Sequence, residues 1–221
     1  MLSTLLNHLY EALIADGRWQ LIAYGLWSTV VITMLSLLLG TLLGGVIYLM
    51  TLSHDKGLRR FAAAYRYIVR GTPLLVLLLF FFYVVLSGGN GIVAAVAAFA
   101  VNFSNLACAL IQSSLDSVGT DQMEAGRALG FSRMQCLRYI VAPQALKNAL
   151  PAYKFQAVSM VKSTSIVGYV AILDLAGATE AIRNAAQISF VPLLLVTIIY
   201  FMLAWLLCKG LDILVRKTTR L

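Results

Sequence analysis

Charged residues fall in blocks along this chain, and the uncharged stretches between them are longer than a soluble fold needs. None occurs from Trp19 to Ser53 or from Gly71 to Leu115. A helix crosses the hydrocarbon of a bilayer with roughly 20 apolar residues, so the first stretch predicts one span, near 19–50. The second stretch is too long for one span. Ser87-Gly-Gly-Asn-Gly91 interrupts it with residues that turn readily, and it reads as a hairpin with spans near 69–87 and 91–115. A fourth span is expected near 153–174. It carries Lys154, Lys162, Ser163, Thr164 and Ser165, and a helix of that polarity belongs inside a bundle, away from lipid. A fifth, near 188–208, ends at Lys209.

The connecting segments carry the polar pattern. Leu2, Leu5, Leu6, Leu9 and Leu13 recur at helical spacing with Glu11, Asp16 and Arg18 among them, which predicts a short helix lying on a membrane surface over 1–18. His54 to Arg70 carries Lys56, Arg59, Arg60, Arg66 and Arg70 against Asp55 alone. It is expected as an amphipathic helix running into the second span. Residues 116–151 form the one long polar insert, and a loop over Asp174–Asn184 is expected outside the membrane.

Composition sharpens this reading. The 221 residues are 61% hydrophobic and 12% charged, about half the charged share of a soluble domain. The formal net charge of +8 would suggest nucleic acid in a soluble protein. Here its placement decides: with the N-terminus outside and five spans, Arg18 and Arg183 are external and the other basic residues lie on or near the cytoplasmic side, as such residues do near spans. Cys108, Cys136 and Cys208 show no metal-ligand spacing and read as small packing residues. No basic start, apolar run and small-residue cleavage site occur in that order at the N-terminus, so no removed signal peptide is expected.

The insert predicts two short helices. Asp121-Gln-Met-Glu124 has the form of a capping box, and Ser132-Arg-Met-Gln135 repeats it. Gly130 between them suits the left-handed residue that ends a helix. A helical elbow projecting from a bundle is a docking shape.

At these residues the chain resembles a known family. Glu124-Ala-Gly-Arg-Ala-Leu-Gly130-Phe, Ile140-Val-Ala-Pro143-Gln-Ala and Leu150-Pro151 resemble the EAA loop of ABC importer permeases, with Gly126 at the third alanine and Ala142 for the leucine before the proline. Arg70-Gly-Thr-Pro-Leu-Leu-Val76 is similar to the RGTPLLVQ segment of polar amino-acid permeases, with Leu77 where glutamine is usual. Lys162-Ser-Thr-Ser-Ile166 is similar to their KDTSL segment, with Ser163 for the aspartate. Ala109 and Gln112 stand where such families often carry a glutamate and an arginine. That counts against acid-based recognition of a cationic substrate at that point.

The resemblance implies an all-α integral membrane protein, a type I ABC importer permease-like bundle of five transmembrane helices with the C-terminus cytoplasmic, in the bacterial inner membrane. It implies that Glu124, Ala125, Gly126, Gly130, Ile140 and Pro143 couple the chain to ABC ATPase subunits. It further implies an external solute-binding protein, a second permease copy or paralogue, and a polar amino acid as cargo. No cofactor, metal site or nucleic-acid partner is expected.

The residues themselves agree. No GxxxxGKS or GxxxxGKT occurs to cradle a nucleotide, and no HExxH, GxSxG or carboxylate cluster appears, so energy must come from a partner. Asn102 and Asn105 share one helix face. They line a solute path or form an interhelical clasp worth about 0.6 kcal/mol. Ser163 and Thr164 are path candidates by resemblance. Lys162 needs a partner, water or a route to the interface, and Arg70 with Pro73 frames a helix start. Glu124 has at least a capping role worth about 1 kcal/mol. The rival reading, an ion-gradient transporter or channel, favours acids within spans, and none is expected there.

Overall fold

The computed structural model describes residues 17–187 and 190–218; the expected surface helix over 1–18 lies outside them apart from Gly17 and Arg18. The described chain is helical, with α1 Trp19–Thr51, α2 Lys56–Gly71, α3 Leu74–Phe80, α4 Gly91–Asp116, α5 Thr120–Ala128, α6 Arg133–Cys136, α7 Ala142–Ser163, α8 Leu175–Ala186 and α9 Phe190–Thr218. π-helical turns follow α3 (Phe81–Val85) and α6 (Leu137–Val141), and a 3₁₀ segment, Thr164–Val170, follows α7. Among the described residues α1, α4 and α9 are each long and apolar enough to cross a membrane. The count reaches five if two broken pairs, α2 with α3 and α6–α7 with α8, each make one span.

Helix limits and hydropathy limits differ at several places, and α9 runs on to Thr218, past the expected end at Lys209. The helix over 56–71 does not run into the second span: Thr72 is extended, with ψ 123°, and Pro73 caps α3. A residue before proline is pushed out of the helical region, so α3 starts at Leu74. At the fourth expected span, α7 begins at Ala142, inside the polar insert, and passes into the 3₁₀ segment at Thr164. Hydropathy marks where a helix becomes apolar, and α7 becomes so well after it starts. The expected loop over 174–184 is instead α8, with Asp174 as N-cap accepting from the Gly177 N–H. The 87–91 turn forms as expected from its residues, with Gly88 at φ 78° and the Asn90 side chain accepting from the Ile92 N–H at 2.9 Å.

The chain divides into two compact units. One comprises residues 1–37, 73–99 and 159–205. Its buried residues include Ile32, Leu78, Phe99, Val167, Leu175 and Ile182. Asp174 is fully buried here; its second carboxylate oxygen accepts from the Tyr200 hydroxyl at 3.2 Å, and the Leu175 N–H donates to Thr29 Oγ1 at 3.1 Å.

The other unit comprises residues 38–72, 100–158 and 206–221. Ile47, Ala62 and Cys108 form a buried cluster in it, flanked by Leu43, Tyr48, Met50 and Tyr65. The Gly40-xxx-Gly44 face of α1 lies directly on α4. Hydroxyl pairs reinforce the packing: Tyr65 with Ser104 at 2.7 Å and Thr41 with Tyr153 at 2.8 Å. The Tyr153 ring also meets Phe103 edge-on, with centroids 5.7 Å apart. Lys154 is ion-paired with Asp212 of α9.

Candidate functional site

The elbow lies in the second of these units, between α4 and α7. Gly119, at φ 78°, turns the chain out of α4 and starts α5. The expected capping box at Asp121 and Glu124 is not formed. Helix α5 starts two residues earlier than that box requires, after Gly119, and has no side-chain cap, so Asp121 sits in its first turn, where an acid suits the helix dipole. The second box is formed: Ser132 Oγ accepts from the Gln135 N–H at 3.3 Å, and Gln135 Oε1 accepts from the Ser132 N–H at 2.8 Å.

Between the two helices Gly130 has φ 88°. The Phe131 N–H donates to Gly126 O at 3.1 Å and the Gly130 N–H to Arg127 O at 3.0 Å. That pair of bonds is a Schellman close, which satisfies carbonyls a helix end leaves open. Gly126 is buried beneath Cys136 and Ile140. Glu124 and Ala125 stand exposed on α5; Ile140, in the π turn, and Pro143, in the first turn of α7, are half-buried. Around them Leu129 is 78% and Met134 70% exposed, with Phe131 and Tyr139 also open to the surroundings. Together they leave an apolar patch on a polar segment.

A groove of about 580 Å³ lies in the same unit, between α2 and α4, lined by Ala63, Arg66, Tyr67, Arg70, Asn105, Leu106 and Ala109. Arg66 donates to Gln112 Oε1 at 3.4 Å. Of the two asparagines, Asn105 reaches this groove, while Asn102 is half-buried a turn away on α4. Arg70 lies in the last turn of α2, before the break at Thr72, and Pro73 caps α3. The arginine lining was not singled out from the sequence. The signal was there: Arg66 and Arg70 stand one helical turn apart.

Ser163 and Thr164 belong to the other unit. Thr164 is fully buried and donates to Val161 O at 2.8 Å; Ser163 donates to Ser159 O at 2.9 Å. Lys162, in the last turn of α7, is exposed.

The family follows from similarity to known proteins. Residues 36–220 match the binding-protein-dependent transport system inner membrane components. The chain belongs to that family. It is a permease subunit of an ABC importer in the bacterial inner membrane, and ATP hydrolysis belongs to a partner ATPase. The permease is 29% identical over 213 residues to the L-cystine transport system permease protein TcyB of Bacillus subtilis (strain 168), covering 94% of this chain and 91% of that one. It matches a crystal structure of an amino acid ABC transporter with histidines at TM-score 0.78 and 32% identity, over 90% of this chain and 94% of that one. Its fold is also that of the MetNI methionine ABC transporter in an inward-facing conformation, at TM-score 0.74 and 22% identity, over 92% and 99% of the two chains. The permease thus has the expected all-α, type I importer architecture.

Proposed function

We propose that this permease imports amino acids and that its elbow, residues 121–151, is the surface its ATPase grips. The cargo class is supported by the cystine permease and the amino acid transporter to which the chain is similar. The observation that carries the docking assignment is the Schellman-closed, box-capped elbow, with Leu129 and Met134 held open. In this reading Glu124 and Ala125 face the ATPase, Gly126 and Ile140 hold the two helices together, Gly130 sets the corner, and Pro143 starts the lever arm α7.

ATP-driven closure of the ATPase pair moves the elbow, and the bundle switches between inward- and outward-facing states. The N-terminus is external, the elbow cytoplasmic, and a second permease copy or paralogue and a solute-binding protein complete the assembly. Asn102, Asn105, Ser163 and Thr164 are proposed for the solute path. Asn105 is the best supported, since it borders an open groove.

The test is uptake of labelled amino acids into vesicles holding the permease with its ATPase and binding protein. Uptake that requires ATP and survives an ionophore is expected. Uptake without ATP that an ionophore abolishes would instead mean an ion-gradient transporter.

A further inference from the structure

The groove between α2 and α4 combines two guanidinium groups, a phenol and a carboxamide, and no aspartate or glutamate lines it. Arg66 and Arg70 stand four residues apart on one helix face, and like charges so placed repel. Among the described residues neither forms an ion pair. Among the described residues, Arg66 meets the neutral Gln112 amide, which does not compensate the charge. Lys56, Arg59 and Arg60 on the same helix add positive field. Such a site attracts a carboxylate, which an arginine fork receives through paired N–H donors. It repels an ammonium or guanidinium side chain.

We infer that this groove binds the side-chain carboxylate of an acidic amino acid, so that the permease carries anionic solutes in preference to cationic ones. Arg66 and Arg70 hold the carboxylate, and Asn105 and Tyr67 supply neutral hydrogen-bonding groups beside it. The inference rests on the reading of the chain as an amino-acid importer and adds the charge of the cargo. A lipid phosphate offers the groove the same anionic chemistry, so the experiment has to separate the two sources.

The purified permease–ATPase complex, without a binding protein, is titrated with L-glutamate, L-glutamine and L-arginine, with thermal stabilisation as the readout. The same complex, now with its binding protein, is placed in vesicles of phosphatidylcholine alone, or mixed with phosphatidylglycerol, to follow ATP-dependent uptake of the same three probes. L-glutamate is expected to stabilise at concentrations roughly tenfold lower than L-arginine, the ratio that one charge-assisted bond supplies. Arg66→Gln and Arg70→Gln should each collapse that ratio, and the lysine variants should retain part of it.

Equal or tighter binding of L-arginine by the native complex overturns the inference without any variant. An unchanged ratio in both glutamine variants overturns it too. An Arg66→Gln effect seen only with phosphatidylglycerol assigns the groove to lipid. ATP-dependent uptake of L-glutamine or L-arginine but not L-glutamate defeats this inference and leaves the importer reading standing. No ATP-dependent uptake of any amino acid defeats both.

Discussion

A β-carbon placed on Gly126 would come within 2.7 Å of Cys136 Sγ, closer than packed atoms approach. The helices of the elbow therefore cross at a separation that only a glycine tolerates here, unless its neighbour shrinks. Gly126→Ala should loosen the elbow by about 1–3 kcal/mol, the usual cost of overpacking. Cys136→Ala should restore part of that loss when added to Gly126→Ala, because it removes the colliding sulfur but leaves Ile140 Cδ1, also 2.7 Å away. Thermal unfolding of the single and double variants, with ATPase co-purification, checks both. Additive effects would mean that the two positions do not meet.

Gly130 sits at φ 88°, which proline, fixed near −65°, cannot adopt. Gly130→Pro should abolish ATPase co-purification while the protein still inserts in the membrane. Leu129→Glu, which places a charge on the exposed patch without disturbing the turn, should weaken the association by tenfold or more, as removal of an interface anchor does. Glu124→Lys should uncouple hydrolysis from uptake. Normal co-purification of both the Gly130 and Leu129 variants would refute docking at the elbow.

The Gly40–Gly44 face can be tested against an internal control. A β-carbon on Gly44 would lie 2.6 Å from Ser104 O and 2.7 Å from the Ala107 β-carbon, whereas at Gly45 it meets nothing within 4 Å. Gly44→Val should force α1 off α4 and lower stability by several kcal/mol. Gly45→Ala should fall within about 0.5 kcal/mol of the native protein, as substitutions away from packed features do. Thermal unfolding in detergent separates them.

Asp174 caps α8 and accepts from Tyr200. Asp174→Ala removes a helix cap and leaves a hydroxyl without its acceptor, each costing about 1–2 kcal/mol. Tyr200→Phe should cost less, since it leaves the cap intact. The double variant should lose less than the sum of the two, as partners in one network do.

Much of the architecture was legible in one dimension because lipid imposes a simple rule on apolar length. The uncharged stretches before Ser53 and Leu115 located α1 and α4, and the turn chemistry at 87–91 separated α3 from α4. Gly130 and Ser132 also declared themselves, since a left-handed residue and a reciprocal cap are local events. Asp121 misled because its spacing to Glu124 fits a capping box, while the positive φ of Gly119 had already set where α5 begins. The burial of Asp174 was hidden for another reason. Its partner Tyr200 lies 26 residues away, and no local pattern announces a meeting at that distance. The same holds for the groove, whose walls come from two helices joined through a hairpin. The sequence presents its arginines only as part of a basic block, and the folded chain sets Asn105 beside them.

The hydroxyl pairs Tyr65–Ser104 and Thr41–Tyr153 join helices without a fixed polarity, since either oxygen can supply the proton. Rotating a proton exchanges the two roles while the heavy atoms stay in place. Such a clasp can accommodate small shifts of one helix against the next without opening. For a permease proposed to switch between two shapes, these are fasteners that tolerate sliding, and they carry no charge.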